Sequence, residues 1–324
     1  MADFNNKNVL VTGGAGFIGS HLCDHLLTEP VVKIIAVDNL YLGKEENLSE
    51  AKVNSKFRFI NCDVTNYESI AKIISDNEID VIFHLAVIPL EASLENPVWC
   101  FDQNIKMTQN LLEIIRLSKR QISIIAYSSS EVYGTAIYTP MDENHPLLGH
   151  TPYAASKSAS DLLVYSYGKT FGIDFSIVRP FNNFGPRQNE KNYAGVIPLT
   201  IRRIMEGEKP VIFDDGTQTR DFFYVKDSAY WTAEIYKNEE AHGQIINLAS
   251  GKQIMIKDVI EIICKELKYS GEIERRATRI GDVRVLEGNV ELAERLLNFK
   301  DITTFDQAII PTIKWYIETL FKNK

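Results

Sequence analysis

Asn8-Val-Leu-Val-Thr12 runs without a break into Gly13-Gly-Ala-Gly16-Phe-Ile-Gly19-Ser-His21, and this junction decides the fold. A run of branched side chains favours extended backbone. The apolar pattern that continues to residue 27 has the spacing of a helix. Between them the glycines fall at G-x-x-G-x-x-G. Gly13 permits a tight turn, Gly16 lets backbone come close to a pyrophosphate, and Gly19 lets a helix pack closely on a strand. The opening helix points its unpaired amides and positive dipole end at the same phosphates. Glycines alone are a weak signal, and their place between strand and helix gives them meaning.

Working outward, short β-branched runs alternate with helical patterns through the first half of the chain. Strands are expected over 8–12, 32–38, 58–62, 81–85, 123–128 and 175–179. Helices are expected over 18–27, 67–76, 97–118 and 152–171. Apolar strands alternating with helices describe a parallel sheet covered on both faces, and right-handed crossovers make it doubly wound. The fold class is therefore α/β, a Rossmann-type doubly wound parallel sheet. After Arg179 the pattern becomes mixed, with helices at 198–206, 256–267 and 290–297 and a strand passing into a helix over 222–236. This predicts a smaller, interwoven α+β substrate lobe. Residues 1–180, with 221–249 returning, form the cofactor-binding domain; 181–220 and 250–324 form the lobe. There is no internal repeat and no long polar linker.

The 324 residues are 45% hydrophobic and 24% charged, an ordinary globular balance. No apolar run approaches the roughly 20 residues that cross a bilayer, and the first residues do not read as a signal peptide. Four scattered cysteines, Cys23, Cys62, Cys100 and Cys264, suit a reducing cytoplasm better than a disulfide framework. A net charge of −8 without basic blocks argues against nucleic acid as partner. An anionic ligand must then be held by a few placed arginines and by backbone amides.

The second strand ends at Asp38, where a carboxylate accepts hydrogen bonds from ribose hydroxyls and repels a 2′-phosphate. NAD is therefore favoured over NADP. The cofactor set read from these turns is Gly13, Gly16, Phe17, Ile18, Gly19, Asp38, Asn39, Asp63, Val64, Leu85 and Ala86, although Asp63 reads equally as a solvated turn acid. His21 and His25 have a spacing that can hold zinc but lack a third ligand, so no metal is assigned.

Thr151-Pro152 reads as a helix start, which sets Tyr153 and Lys157 four apart on one face. An ammonium beside the phenol, with a cationic nicotinamide, would lower the phenol's affinity for its proton and make Tyr153 a base. Both residues join the cofactor set. The strand over 123–127 ends in Ser128-Ser-Ser-Glu-Val-Tyr-Gly134, at the edge where open α/β sheets gather function. Ser129 is a candidate to share a substrate hydroxyl with Tyr153, Glu131 offers a carboxylate, and Ser130 between them joins the catalytic candidates. The same residues would also serve as turn caps.

Together with His84-Leu-Ala86, these features resemble the extended short-chain dehydrogenase/reductases, and within them the nucleotide-sugar epimerases, dehydratases and decarboxylases. The resemblance continues through Arg179-Pro-Phe-Asn182-Asn-Phe-Gly-Pro-Arg187, Pro210-Val-Ile-Phe213, Thr219-Arg-Asp-Phe-Phe-Tyr-Val225 and Gly281-Asp-Val-Arg284. It implies that Asn182, Arg220 and Arg284 hold a substrate diphosphate and that Phe213 stacks on the base, usually uracil. Arg187 and Val196 join the substrate set. The stretch from Ser129 to Leu147 is similar to UDP-N-acetylglucosamine 4,6-dehydratases of bacterial surface-sugar pathways.

Such enzymes share oxidation at sugar C4 by NAD, and the resemblance implies a UDP-sugar substrate. Glu131 argues for 4,6-dehydration, because plain 4-epimerases carry small residues there. Many hexose dehydratases have Asp-Glu where this chain has Ser130-Glu131, which leaves the acid at C6 open. UDP-glucuronate decarboxylases share the Ser-Glu pair, but 87–93 offers no cation for a substrate carboxylate. Leu90, Asn192 and Tyr193 are candidates to admit an N-acetyl group. The matching helices of the family form a homodimer, expected here through 97–118 and 152–171 with Leu111, Leu112, Leu162, Leu163 and Tyr167.

Overall fold

The computed structural model describes residues 3–191, 194–277, 283–300 and 302–321. Asn192, Tyr193, Gly281 and Asp282 lie outside the described residues. The first half of the chain lays down strands β1 (Asn8–Thr12), β2 (Lys33–Asp38), β3 (Phe57–Asn61), β4 (Val81–His84), β5 (Ser123–Tyr127) and β6 (Phe175–Pro180). Helices α1 (Phe17–Leu26), α2 (Tyr67–Asp76), α3 (Leu90–Glu95), α4 (Pro97–Leu117) and α5 (Pro152–Phe171) connect them. A later strand, β11 (Ile245–Leu248), completes one seven-stranded sheet in the order β11-β6-β5-β4-β1-β2-β3, every neighbouring pair parallel. The chain runs one way from β1 to β3 and the other way from β4 outward. The switch point, where a crevice opens at the strands' carboxyl ends, therefore lies between β1 and β4.

Alternation along the strands fills two cores. Val9, Val11, Ala36, Phe83 and Val178 face α1 and α7 (Val225–Lys237). Leu10, Ile35, Ile82, Ile124 and Ile177 face α2, α4 and α5. Thr151 caps α5 by accepting from the Ala154 N–H at 3.2 Å, with Pro152 at the first position, as the sequence predicts. Leu111 and Leu112 correct one expectation: both are completely buried inside the subunit. The outer faces of α4 and α5 instead expose Val98, Phe101, Leu162 and Tyr165.

The third core joins α6 (Val196–Met205), α8 (Ile256–Glu266) and α10 (Phe305–Leu320) around Phe184, Phe222 and Phe305. Short strand pairs stitch this region together. β7 (Asn182–Phe184) pairs with β10 (Phe222–Tyr224), β8 (Val211–Phe213) with β13 (Glu274–Arg276), and β9 (Thr219–Arg220) with β12 (Ile254–Met255). α9 (Glu291–Leu297) departs from the third core. Its Ala293 and neighbouring Phe299 pack into the first core beside the sheet.

The turn after β1 is tighter than any side chain allows. Gly13 has φ +68°, and a Cβ there would lie 2.8 Å from the Ala86 nitrogen. A Cβ on Gly19 would lie 2.2 Å from the Gly13 carbonyl oxygen, and one on Gly16 would lie 3.0 Å from it. Gly19→Ala is expected to cost about 2 kcal/mol of unfolding free energy, measured by urea denaturation, with Gly16→Ala costing less. Equal losses would show that the turn relaxes around either methyl.

Candidate active site

A cleft of about 470 Å³ opens over the switch point. Gly13, Gly16, Phe17, Ile18 and Gly19 line one wall, and Asp38 and Asn39 with Asp63 and Val64 line another. Leu85 and Ala86 follow β4 at its floor, and Tyr153 and Lys157 complete it from α5. The α1 N-terminus begins at Gly16 with no side-chain cap, so its amides face the cleft unclaimed by a capping group. Asp38 accepts the Ala15 N–H at 3.1 Å and the Leu40 N–H at 2.8 Å. Burial raises its carboxyl's affinity for a proton, and those two bonds oppose the rise. Asp63 accepts from the Thr65 N–H at 2.8 Å and from the Asn39 amide at 3.1 Å. A phosphate-facing helix end with a carboxylate past the next strand fits a dinucleotide with free ribose hydroxyls.

His84 is buried and holds this floor together. Its Nδ1 lies 2.9 Å from the Thr12 hydroxyl and its Nε2 lies 3.2 Å from the Thr108 hydroxyl. Burial, then the nearby Lys157 charge, drives its pKa down to about 3, so the ring is neutral. His21 and His25 serve separate contacts. His21 Nε2 meets the Pro186 carbonyl at 3.1 Å, and His25 lies 3.7 Å from Glu29. No metal-holding group of His, Cys, Asp or Glu occurs among the described residues.

The Tyr153 phenol lies beside the Ser129 hydroxyl, which accepts the Glu131 N–H at 3.2 Å. Lys157 Nζ donates to the Tyr127 carbonyl. Burial raises the Tyr153 phenol above its ordinary value; the Ser129 hydroxyl opposes this, and Glu131 and Glu91 add to it. Burial also draws the Lys157 ammonium down to about 8. A low-dielectric floor favours the neutral form of each.

A second cleft of about 230 Å³ adjoins the first. Val196, Phe213 and Arg220 line it, and Glu131 and Asn182 line both clefts at their junction. Ser129 and Ser130 line only the larger one, Ser130 buried. Buried oxygens without a hydrogen-bond partner collect here: Oδ1 of Asn182 and of Asn183, and Oε1 of Gln218. Buried acceptors of this kind are ready for donors from a ligand. Two arginines of the expected substrate set pair with carboxylates. Arg187 lines the larger cleft and pairs with Asp24 at 2.6 Å, while Arg284 lines neither cleft and lies 3.3 Å from Asp214 and Asp215. Both find carboxylates that folding brings close.

Sequence reasoning missed Glu91, Asn183, Gln188 and Gln218. Glu91 lines both clefts from the short helix α3, opposite nothing in the sequence that would mark it. Asn183 had a signal in its neighbour Asn182. Lys44 on the loop after β2 pairs with Glu190 at 2.6 Å, tying the segment after β7 across the larger cleft.

The sequence pattern of the family described as GDP-mannose 4,6 dehydratase matches residues 10–312. The chain is 34% identical to a UDP-glucuronate 4-epimerase of Thermodesulfobacterium geofontis, over 96% of each protein. It is similar to the structure of a UDP-N-acetylglucosamine 4-epimerase from Methanobrevibacter ruminantium in complex with UDP-N-acetylmuramic acid. That likeness has a TM-score of 0.89 and 34% identity, covering 98% of this chain and 100% of that one. A dTDP-glucose 4,6-dehydratase from Streptomyces venezuelae with NAD bound aligns at a TM-score of 0.91 and 28% identity, over 96% and 97% of the chains.

The Lys157 ammonium has a measurable consequence. Its pKa falls from 10.5 to about 8 on folding, so between these values the unfolded chain holds a proton that the folded protein does not. Stability from this residue therefore rises with pH across that window. Below it the fold carries the full penalty, about 3 kcal/mol. Urea unfolding of the wild type minus that of Lys157→Met is expected to rise from pH 8 to 10.5. A flat difference would mean the ammonium is not desolvated.

Proposed function

The chain belongs to the GDP-mannose 4,6-dehydratase family of extended short-chain dehydrogenase/reductases acting on nucleotide sugars, and on that premise we propose that it is an NAD-dependent UDP-hexose 4,6-dehydratase. UDP-N-acetylglucosamine is the proposed substrate. The observation that carries this reading is Glu131, a carboxylate at the junction of the two clefts and close enough to Tyr153 to raise its phenol. The larger cleft takes NAD and the smaller takes the nucleotide, with the base against Phe213 and the diphosphate near Asn182, Val196 and Arg220. In the same reading 1–180 with 221–249 is the cofactor domain, and 181–220 with 250–324, apart from α9 and Phe299 packed beside the sheet, is the substrate lobe.

NAD held by the glycine turn, Asp38 and the α5 pair would supply the hydride acceptor for sugar C4 and the hydride donor for C6. Tyr153 takes the C4 hydroxyl proton while Ser129 holds that oxygen, and Lys157 steadies the charge that develops on the phenol. The resulting C4 ketone makes the C5 proton acidic; Glu131 removes it and gives a proton back to C5 when C6 is reduced. The C6 hydroxyl then leaves as water with a proton. Ser130 cannot supply that proton as a carboxylic acid would. Glu91, the other carboxyl that lines both clefts, is assigned this role.

The two 34% identical relatives above favour a second reading, 4-epimerisation, in which Tyr153 and Lys157 act alone. A uronate substrate, and with it decarboxylation, is disfavoured because 87–93 carries Glu91 into both clefts and no cation to hold the substrate carboxylate. Incubation with UDP-N-acetylglucosamine and UDP-glucuronate, read by product mass, separates the three. Loss of water is expected; loss of carbon dioxide means decarboxylation, and an isomer of unchanged mass means epimerisation. Glu131→Gln is expected to keep NAD binding and stop C5 proton exchange with solvent. Undiminished exchange would remove Glu131 from the mechanism.

The protein is proposed to work in the cytoplasm. Its four thiols are unpaired, and no described helix is long and apolar enough to cross a membrane. The exposed Val98, Phe101, Leu162 and Tyr165 on neighbouring helices α4 and α5 support a homodimer through those helices. Light scattering is expected to give twice the 36.8 kDa chain mass, and a single-chain mass would overturn the dimer.

A further inference from the structure

Beneath the turn that carries Ser129 and Glu131 lies a chain of buried polar groups that the mechanism above does not use. Arg179, near the end of β6, is 2% exposed. Its Nε donates to Asp161 Oδ2 at 3.0 Å, and its Nη1 donates to the Tyr133 hydroxyl at 3.1 Å. The same Asp161 oxygen accepts from the Ser128 hydroxyl at 2.8 Å. Tyr133 donates in turn to Asn247 Oδ1 on β11 at 2.7 Å, and the guanidinium lies 5.0 Å from the centre of the Tyr133 ring. Two buried charges carry a desolvation cost of several kcal/mol, and apolar replacements of similar size often fold as stably. Stability alone therefore gives no reason for this pair.

Each member sits beside a residue assigned to the chemistry. Asp161 follows Lys157 by four positions, on the same face of α5. Ser128 precedes Ser129, Tyr133 closes the turn containing Glu131, and Arg179 lies three residues before Asn182. We propose that the Asp161–Arg179 ion pair is a positioning device, which locks the 128–133 turn against α5 and so sets Ser129 and Glu131 relative to Tyr153 and Lys157. The identity of the positioned groups rests on the function proposed above; the locking of the turn does not.

Asp161 also acts on Lys157 through space. The groups facing that ammonium are Asp161 from α5, Cys100 from α4, His84 from β4 and the Tyr127 carbonyl from β5. Burial lowers the Lys157 ammonium, and Asp161 is the first of the groups that raise it again. Loss of the carboxylate, with Arg179 left uncompensated, shifts Lys157 further toward its neutral form. The alkaline limb of kcat then falls to lower pH, which a purely structural residue would not cause.

The test uses the whole protein with NAD present and three variants, Tyr133→Phe, Asp161→Asn and Asp161→Glu. Hydrogen–deuterium exchange of the 128–134 amides is expected to quicken about tenfold in Tyr133→Phe and more in Asp161→Asn. With the nucleotide sugar, kcat is expected to fall tenfold or more while KM changes little. In Asp161→Asn the alkaline limb should move down by about one pH unit, and Asp161→Glu should restore part of both effects. Tyr133→Phe removes one oxygen and decides the matter if Asp161→Asn fails to fold. A folded Tyr133→Phe with wild-type exchange over 128–134 and wild-type kcat overturns the proposal. A wild type that turns over no nucleotide sugar overturns the functional reading instead, and the exchange result then stands alone.

Discussion

Everything in the site depends on one close approach of backbone to backbone, where the turn after β1 meets the segment after β4. Gly13 packs against Leu85 and Ala86 at a distance that leaves no room for a Cβ. The Thr12 hydroxyl reinforces the contact by meeting His84 Nδ1 and accepting the Ala86 N–H at 3.2 Å. Because the chain departs in opposite directions from β1 and β4, this contact forms the floor of a crevice. The uncapped α1 N-terminus, Asp38 and the β4 end all face it as a result. A bulkier turn would separate these elements, and the cleft would lose its shape before any catalytic group was touched.

The electrostatics follow from burial in an acidic protein. Its arginines are largely committed: Arg187 to Asp24, Arg179 to Asp161 and Arg284 to Asp214 and Asp215. Arg220, helix N-termini and the unpartnered amide oxygens of Asn182 and Asn183 line the ligand clefts. The low-dielectric floor acts on the Tyr153–Lys157 pair with one sign of preference. It pushes the phenol up and the ammonium down, so both lean toward neutrality. Proton transfer at Tyr153 is therefore sensitive to whatever charge is placed beside it, and the buried Asp161 is the carboxylate set to temper that balance.

The sheet and the cofactor cleft were the most legible parts of the sequence. The β1 strand, the glycine spacing and the α5 start at Thr151-Pro152 stand where local rules place them, and each cofactor candidate lines the same cleft. The short helix α3 was not legible, because six residues are too few to show a period. α10 was obscured by Pro311 in its middle, although Thr304 and Gln307 form a capping box at its start. Arg187 pairs with a carboxylate that no local pattern reveals, because Asp24 lies 163 positions away. Leu111 and Leu112 were read as an outer face because composition reports how apolar a helix is, not which side its neighbours cover.

What the sequence by itself determined is local. Glycine spacing, a capping threonine, a four-residue interval and strand alternation act through sterics and hydrogen bonds within a few residues, so they survive without knowledge of the rest of the chain. Tertiary structure decided which distant groups meet. It seated β11 beside β6, brought Glu91 and Glu131 to one cavity, and buried Arg179 between Asp161 and Tyr133. Those outcomes follow from packing two cores onto one twisted sheet. Charges separated by many tens of residues cannot choose partners until that packing sets the distances between them.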